Sequence, residues 1–311
     1  MRDIIRIGTR SSRLALVQAE GVAARLRQVH PAIEMRVEMF RTAGDRDRAT
    51  DLAHLPGVGF FVKELETALL EDRIDLAVHS MKDVPTAVPE GLEAGSVVPE
   101  REASGECLVT CEGLGLADLA RGALVGTSSP RRRAMLLALR PDLAMTDLRG
   151  NVETRLAKVR AGACAATILA RAGLARLGAL APDGLGVVGL APEVVMPPAG
   201  QGVLGLEFRR TDDRMRRVLA PLDHPPSRWA VVAERALVHR LGAGCRTPLG
   251  VLARVDGRDV LALDAWILSP DGRESVRRSA GGPAAQAEAV GIALAEGLLE
   301  AGAGRLIAGE P

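Results

Sequence analysis

The sequence predicts an α/β fold in two lobes with mainly parallel sheets, followed by a small C-terminal α+β domain. Three observations lead there. Short apolar β-runs recur between residues 4 and 170, and each stops abruptly in a polar cluster; segments of helical spacing separate the runs; and beyond Leu249 alternating strands joined by hairpin signals take over. Strands covered on both faces read as nearly unbroken apolar runs, and open parallel sheets hold ligands just beyond the strands' carboxyl ends. The polar clusters are therefore where a site is expected.

Ile4 to Gly8 reads as the first strand. Leu14, Leu16, Val17, Val22, Leu26 and Val29 carry helical spacing behind a Ser11-Ser12 cap signal, with Arg10 in the turn between. Met35 to Phe40 is a second strand, ending in Arg41, Thr42, Gly44 and Asp45. The segment from Gly44 to Gly59 has no periodicity and is long for a connection, which fits a lid and plain disorder equally. Phe61, Leu65, Ala68 and Leu69 mark a helix leading to Ile-Asp-Leu-Ala-Val-His-Ser-Met-Lys-Asp-Val-Pro, Ile74 to Pro85. That run begins apolar and ends in His79, Ser80, Lys82 and Asp83. Pro85 cannot continue a ladder, so the chain leaves the sheet and the tip stays open to a cleft. A solvated Lys-Asp pair in a turn is the plainer account.

Beyond the loop-like stretch from Pro85 to Glu100, strands are expected at Cys107 to Thr110, Ala123 to Gly126, Met145 to Leu148 and Ala165 to Ala170. Thr127-Ser128-Ser129-Pro130-Arg131-Arg132-Arg133 puts a Ser at a cap and Pro at the first helical position, an opening whose free amides attract anions. Leu148-Arg149-Gly150-Asn151-Val152-Glu153-Thr154-Arg155 resembles it, with Arg149 ending a strand and Arg155 in the first turns of a helix. Two basic helix openings on one sheet edge suit a polyanion; ordinary solvated arginines are the alternative. Val194 to Glu207 is extended and Pro- and Gly-punctuated, as if crossing back to the first lobe. The tail follows as a helix from Ser227 to Leu241, a Gly242-Ala243-Gly244-Cys245 loop, strands at Leu249 to Val255, Val260 to Leu268 and Ser275 to Ser279, and a helix from Ala284 to Leu299. Asp256-Gly257 and Asp271-Gly272 are the hairpin signals.

Composition narrows the function. Forty basic and 39 acidic residues give a formal +1, which speaks against a nucleic-acid surface, and with aromatics at 2% and no Tyr there are no stacking platforms for bases. No apolar run is long enough for a bilayer and no basic-then-apolar leader opens the chain, so a cytoplasmic protein without membrane contact is expected. The four cysteines, Cys107, Cys111, Cys164 and Cys245, lack a second ligand pair, so no metal is expected and reduced thiols are the default. Cys245 sits in a Gly-rich loop where Arg246, Arg240 and His239 would lower its pKa; a buried packing cysteine is the bland alternative. Nucleotide, zinc-protease and serine-hydrolase motifs are absent. Two classes fit: an enzyme acting on a small, multiply carboxylated or phosphorylated substrate, and a two-lobed module that clamps an anion without chemistry.

Val78-His79-Ser80-Met81-Lys82-Asp83-Val84-Pro85, Gly126-Thr127-Ser128-Ser129, Leu148-Arg149-Gly150-Asn151, Gly200-Gln201-Gly202 and Gly244-Cys245 resemble the porphobilinogen deaminase (hydroxymethylbilane synthase) family. Arg6-Ile7-Gly8-Thr9-Arg10 and Phe61-Val62-Lys63-Glu64-Leu65 fit as well, so the likeness runs from about Ile4 to the last helix. The resemblance implies two periplasmic-binding-protein-like lobes plus the small third domain: residues 1–99 with 198–219 holding a lid and a catalytic Asp, 103–194 holding the anion-binding helix openings, and 222–311 holding a cofactor Cys. It implies a monomer that condenses four porphobilinogen molecules on a dipyrromethane cofactor bound by thioether to Cys245. Asp83 is then catalytic; Lys82, Ser128, Ser129, Arg131, Arg132 and Arg155 bind the cofactor; and Arg10, Ser12, Gln18, Arg149, Arg176 and Gln201 bind substrate. Two departures stand out: Val58 where the family often has Lys, and Gly105-Glu106 where Arg-Asp is frequent. Either is expected to weaken a lid or hinge contact.

Overall fold

Residues 3–41, 62–244 and 246–308 are described by the computed structural model. The Gly44 to Gly59 segment, Val58 and Cys245 therefore lie outside the described residues.

In the first lobe the chain runs through β1 (Ile4–Arg10), α1 (Arg13–Val29), β2 (Glu34–Phe40), α2 (Lys63–Leu70), β3 (Leu76–Ser80) and a short β4 (Leu92–Ala94). Ser12 caps α1, its hydroxyl accepting the Ala15 N–H at 3.3 Å. The apolar stripe of α1, including Ala19, Val22 and Leu26, then packs on Ile5 and Ile7 of β1 in one buried cluster. The second lobe contains β5 (Glu106–Thr110), β6 (Leu124–Gly126), α3 (Pro130–Leu139), β7 (Ala144–Thr146), α4 (Val152–Arg160), β8 (Ala166–Ala170), α5 (Arg171–Arg176) and β9 (Gly186–Leu190). The chain returns through β10 (Leu204–Arg209) and α6 (Asp213–Leu219). It then enters α7 (Pro225–Leu241), β11 (Leu249–Val255), β12 (Val260–Leu268), β13 (Ser275–Pro283), α8 (Ala287–Glu300) and α9 (Ala303–Ala308).

The two lobes share one topology. Their sheets run β2-β1-β3-β10-β4 and β7-β6-β8-β5-β9, and β11-β12-β13 forms a third sheet. In each lobe the first three strands are parallel, and the fourth, β10 or β5, is antiparallel to both neighbours. The parallel expectation thus describes one side of each sheet; the late or early crossing strand reverses the other. The third sheet is antiparallel throughout, with its turns at the two Asp-Gly signals.

Several boundaries differ from the sequence reading. Arg10 is the last residue of β1 rather than part of the turn. The strand expected at Met145 to Leu148 is Ala144–Thr146, so Arg149 lies in the connection beyond it. Of Val194 to Glu207, only the segment from Leu204 pairs in the sheet. β4, β9, α5, α6 and α9 were not expected; the two strands are brief, and Gly186 and Gly189 dilute the β signal of β9.

The Gly200-Gln201-Gly202 motif is explained by crowding where the crossing segments meet. Gly202 has φ +86°, and a Cβ there would lie 2.3 Å from the Glu102 carbonyl oxygen; one at Gly200, φ +72°, would lie 2.8 Å from Met81 Cγ. No helix among the described residues is long and apolar enough to cross a membrane.

Candidate active site

β3 stops at Ser80 and a single 3-10 turn, Met81–Asp83, follows it. Met81 faces the core while Lys82 and Asp83 are exposed. Asp83 faces a cleft with an empty volume of about 400 Å³, also lined by Arg10, Ser12, Gln18, His79 and Ser80. Arg10, Ser12, Gln18 and Asp83, expected from sequence, are thus gathered in one place. Gln18 is nearly buried and donates to Ser80 Oγ at 3.0 Å, which fixes the cleft wall against β3.

Lys82 points from the same turn towards the second lobe and donates to Gln201 Oε1 at 3.3 Å. Gln201, 1% exposed, donates onward to the Ser104 carbonyl at 2.7 Å, so it ties the turn to the crossing segments. Lys82 touches solvent, yet protein surrounds it closely. That desolvation pushes its pKa down; Asp83 and Glu106 oppose the shift, while Arg132 and Arg131 add to it.

The second lobe contributes cations from its helix openings. Ser129 is the N-cap of α3 and Pro130 the first helical residue, as the sequence implied. Arg131 and Arg132 are nevertheless not displayed on the surface: each is 6% exposed, and both turn inward to Glu106. Arg132 Nε and Nη2 reach Glu106 Oε1 and Oε2 at 3.1 and 2.7 Å, and its Nη1 donates to the Ile168 carbonyl at 2.9 Å. Arg131 pairs with the same carboxylate and with the Met196 carbonyl. Burial alone would raise the Glu106 pKa, but Arg132 and Arg131 overcome it and bring it to about 2. Glu106, which stands where the family often has Asp, is the hub of this cluster, and the ensemble of three keeps a net positive charge.

Arg155, on α4 beside this cluster, donates to the Gly150 carbonyl at 2.9 Å. Burial first and the Arg132 charge second lower its pKa to about 10. Nearby, Ser128 Oγ is buried without a hydrogen-bond partner. A desolvated guanidinium pressed by another cation, together with an orphaned hydroxyl, fits a bound polycarboxylate group such as dipyrromethane. Arg149 is half-buried, and its carbonyl accepts from Lys158 Nζ at 3.2 Å. Arg176 is directed elsewhere, donating to the Gly202 carbonyl at 2.8 Å on the crossing segment. Across the cleft, Arg13 and Glu153 approach to 3.7 Å.

Three further residues of the site region were missed. Glu207, 0% exposed on β10, accepts from His79 Nε2 at 2.9 Å, and its Oε1 has no hydrogen-bond partner. Glu66 on α2 is held up to about 7 by desolvation and by Glu207, with His79 and Lys63 opposing. Arg235 on α7 binds the chain just past Asp83. The available signal was an acid inside the apolar run Val203-Leu204-Gly205-Leu206-Glu207-Phe208, since a buried charge needs a partner. Of the other cysteines, Cys107 and Cys164 are buried and Cys111 is exposed.

Residues 5–217 match the family model described as porphobilinogen deaminase, dipyromethane cofactor binding domain, and residues 229–300 match porphobilinogen deaminase, C-terminal domain. A protein named porphobilinogen deaminase from Desulforudis audaxviator is 47% identical over 309 residues, covering 99% of this chain and 98% of its own length. Another of that name from Syntrophobacter fumaroxidans is 45% identical over 305 residues, covering 98% and 97%. Among solved structures, the periplasmic aliphatic sulphonate binding protein SsuA from Escherichia coli has a TM-score of 0.42 at 17% identity, covering 77% of this chain and 70% of that one.

Proposed function

Because the chain belongs to the porphobilinogen deaminase family, we infer that it joins four porphobilinogen molecules head to tail on a dipyrromethane primer, releasing ammonia and, after hydrolysis, linear hydroxymethylbilane. It is an enzyme of tetrapyrrole synthesis, a transferase forming carbon–carbon bonds between pyrroles. The observation that carries the site assignment is Asp83 open to the cleft, with Arg10, Ser12 and Gln18 beside it and Lys82 leading to the Arg131-Arg132-Glu106 cluster.

Each condensation moves one proton on to a leaving amine and one off a pyrrole carbon. Asp83 is assigned to both: protonated, it gives its proton to the aminomethyl nitrogen so that ammonia departs; ionised, it stabilises the positive charge left on the substrate pyrrole and, once the carbon–carbon bond has formed, takes back the proton from the pyrrole carbon. When bound through the Cys245 sulfur, the dipyrromethane supplies the free pyrrole carbon to which the first unit is joined. Lys82, Ser128, Ser129, Arg131, Arg132 and Arg155 are assigned to its acetates and propionates. Arg131 and Arg132 act there as a charge field fixed by Glu106, and Arg155 and Ser128 by direct contact. Arg10, Ser12, Gln18 and Arg149 are assigned to incoming substrate. For Arg176 and Gln201 the assignment extends to the crossing segment, where they order the cleft's hinge side.

Sheet membership supports a division into residues 1–99 with 198–219, 103–194 and 222–311. A cytoplasmic monomer is the state in which we expect it to act. The deciding experiment combines activity and mass: purified protein incubated with porphobilinogen should develop a uroporphyrin chromophore. Its intact mass should exceed the sequence by a two-pyrrole unit mapping to the Cys245 peptide. Cys245→Ser should fold, carry no adduct and make no bilane, because a hydroxyl lacks the easily ionised sulfur. Active enzyme with the bare sequence mass would overturn the assignment.

A further inference from the structure

β3 has already ended at Ser80, and Pro85, two residues past Asp83, keeps the chain from resuming a ladder, which leaves the next carbonyls without ladder donors. A single side chain from another element supplies them. Arg235 of α7 donates from Nη1 to the Val84 carbonyl at 3.0 Å and from Nη2 to the Pro85 and Thr86 carbonyls at 2.6 and 3.4 Å. Its Nη1 also lies 3.7 Å from Met81 Sδ, so the contacts bracket Asp83 on both sides. One turn earlier on the helix, Val231 packs in a buried cluster with Met81, Val84 and Val203. The 3-10 turn itself closes through the Val84 N–H on the Met81 carbonyl at 3.1 Å.

The acceptors are backbone carbonyls, and burial pushes the guanidinium's pKa down with Glu207 opposing. A neutral side chain would fill this space with less desolvation. What the forked cation does that a neutral one cannot is grip three successive carbonyls at once. The helix that carries it is also the one that leads to the primer: α7 ends at Leu241, Gly242 turns with φ +61°, and the Gly244-Cys245 pair follows.

We propose that Arg235 is a positioning residue for Asp83, clamping the backbone after the acid so that its carboxylate is held in register with the helix leading to the Cys245 loop. The inference rests on Asp83 as the acid and Cys245 as the primer's attachment point. A displacement of about 1 Å of a reacting group can cost on the order of 100-fold in rate, so a loosened clamp is read mainly in kcat.

The test uses the primer-loaded enzyme with porphobilinogen. Arg235→Gln is expected to keep the two-pyrrole adduct and a KM within about threefold, while kcat falls about 10- to 100-fold. Arg235→Lys, which keeps the charge and reaches at least one carbonyl, should recover part of that loss and stands in if the Gln variant fails to fold. Because Arg235 acts through Asp83, the double variant Asp83→Asn with Arg235→Gln should be no slower than Asp83→Asn alone. Wild-type kcat in adduct-bearing Arg235→Gln, or losses that multiply in the double variant, would overturn the inference. Full activity of Asp83→Asn would overturn the assignment of the acid, and the clamp's purpose with it; that result is separately visible in the single variant.

Discussion

The two lobes bury a glutamate in the same topological strand and treat it in opposite ways. β5 and β10 are each the fourth strand of their sheets, antiparallel to both neighbours, and carry Glu106 at 1% and Glu207 at 0% exposure. Glu106 has both oxygens engaged by guanidiniums, whereas Glu207 has one oxygen on His79 and the other without a hydrogen-bond partner. Arginine stays charged at any pH a protein meets. The second lobe thus has a carboxylate held ionised by two guanidiniums; the first has an open carboxylate, Asp83, and on α2 a Glu66 whose pKa is raised to about 7. The proposed division, chemistry at Asp83 and binding at the α3 opening, is in keeping with that difference.

Removing the open carboxylate tests the contrast most severely. Asp83→Asn should fold and retain the adduct but lose about 10² to 10⁴ in turnover, the usual effect of losing a positioned acid–base group. Near wild-type condensation by a folded, primer-bearing variant would erase the distinction between the lobes.

The held carboxylate should matter instead for stability. Glu106→Gln leaves two nearly buried guanidiniums without their counter-charge, and breaking a buried pair in this way typically costs about 3–5 kcal/mol. Glu106 titrates at about 2 in the fold against 4.5 when free. Its contribution is therefore complete above pH 4.5 and lost as pH falls from there towards 2. Denaturant unfolding of both forms between pH 3 and pH 7 checks this: the gap between them should narrow on acidification, and a gap that stays constant would mean the charge is not what Glu106 provides.

Arg155 is expected to respond differently from that pair, since it adjoins the orphaned Ser128 hydroxyl and is bound to a carbonyl rather than a carboxylate. Arg155→Gln should slow loading or elongation about tenfold, the scale of one hydrogen bond to a charged group, with little change in melting. Mass spectra of enzyme stalled with limiting porphobilinogen would reveal the step; an unaltered distribution of loaded species at normal activity would remove Arg155 from the site.

How much of this was legible depends on whether partners lie near each other along the chain. The strand tip at Ser80 to Asp83 was visible because an apolar run stops there and Pro85 forbids its continuation, and the α3 opening because a Ser-Pro pair announces a cap. Register across a sheet leaves no such mark. Glu106 meets Arg132 from 26 residues away, His79 meets Glu207 from 128, and Arg235 reaches Pro85 from 150. The arginines at the α3 opening looked like surface cations for the same reason: nothing local says that the first residue of β5 will lie beneath them. Arg149 was placed at a strand end because Met145 and Leu148 are apolar, yet the ladder stops at Thr146 and Leu148 is buried in a packing cluster instead.

The smallest expected effect concerns Glu66 on α2 of the first lobe. Glu66 is partly exposed, and desolvation together with Glu207 raises its pKa from 4.5 to about 7, against His79 and Lys63. An acid whose folded pKa is raised leaves stability intact below its unfolded value and erodes it as pH climbs through the folded one. Glu66→Gln, which cannot ionise, should therefore match the wild type near pH 4.5 and exceed it at pH 8.5. The gain should be on the order of 1 kcal/mol, below the full value of such a shift because solvent reaches the carboxyl. The second lobe offers the control: Glu106→Gln is destabilising by an amount that stays level above pH 4.5, so only the Glu66→Gln difference should change between pH 4.5 and 8.5. Urea melts at the two pH values measure this directly, and a Glu66→Gln variant no more stable than wild type at pH 8.5 would show that Glu66 ionises in the fold at no cost.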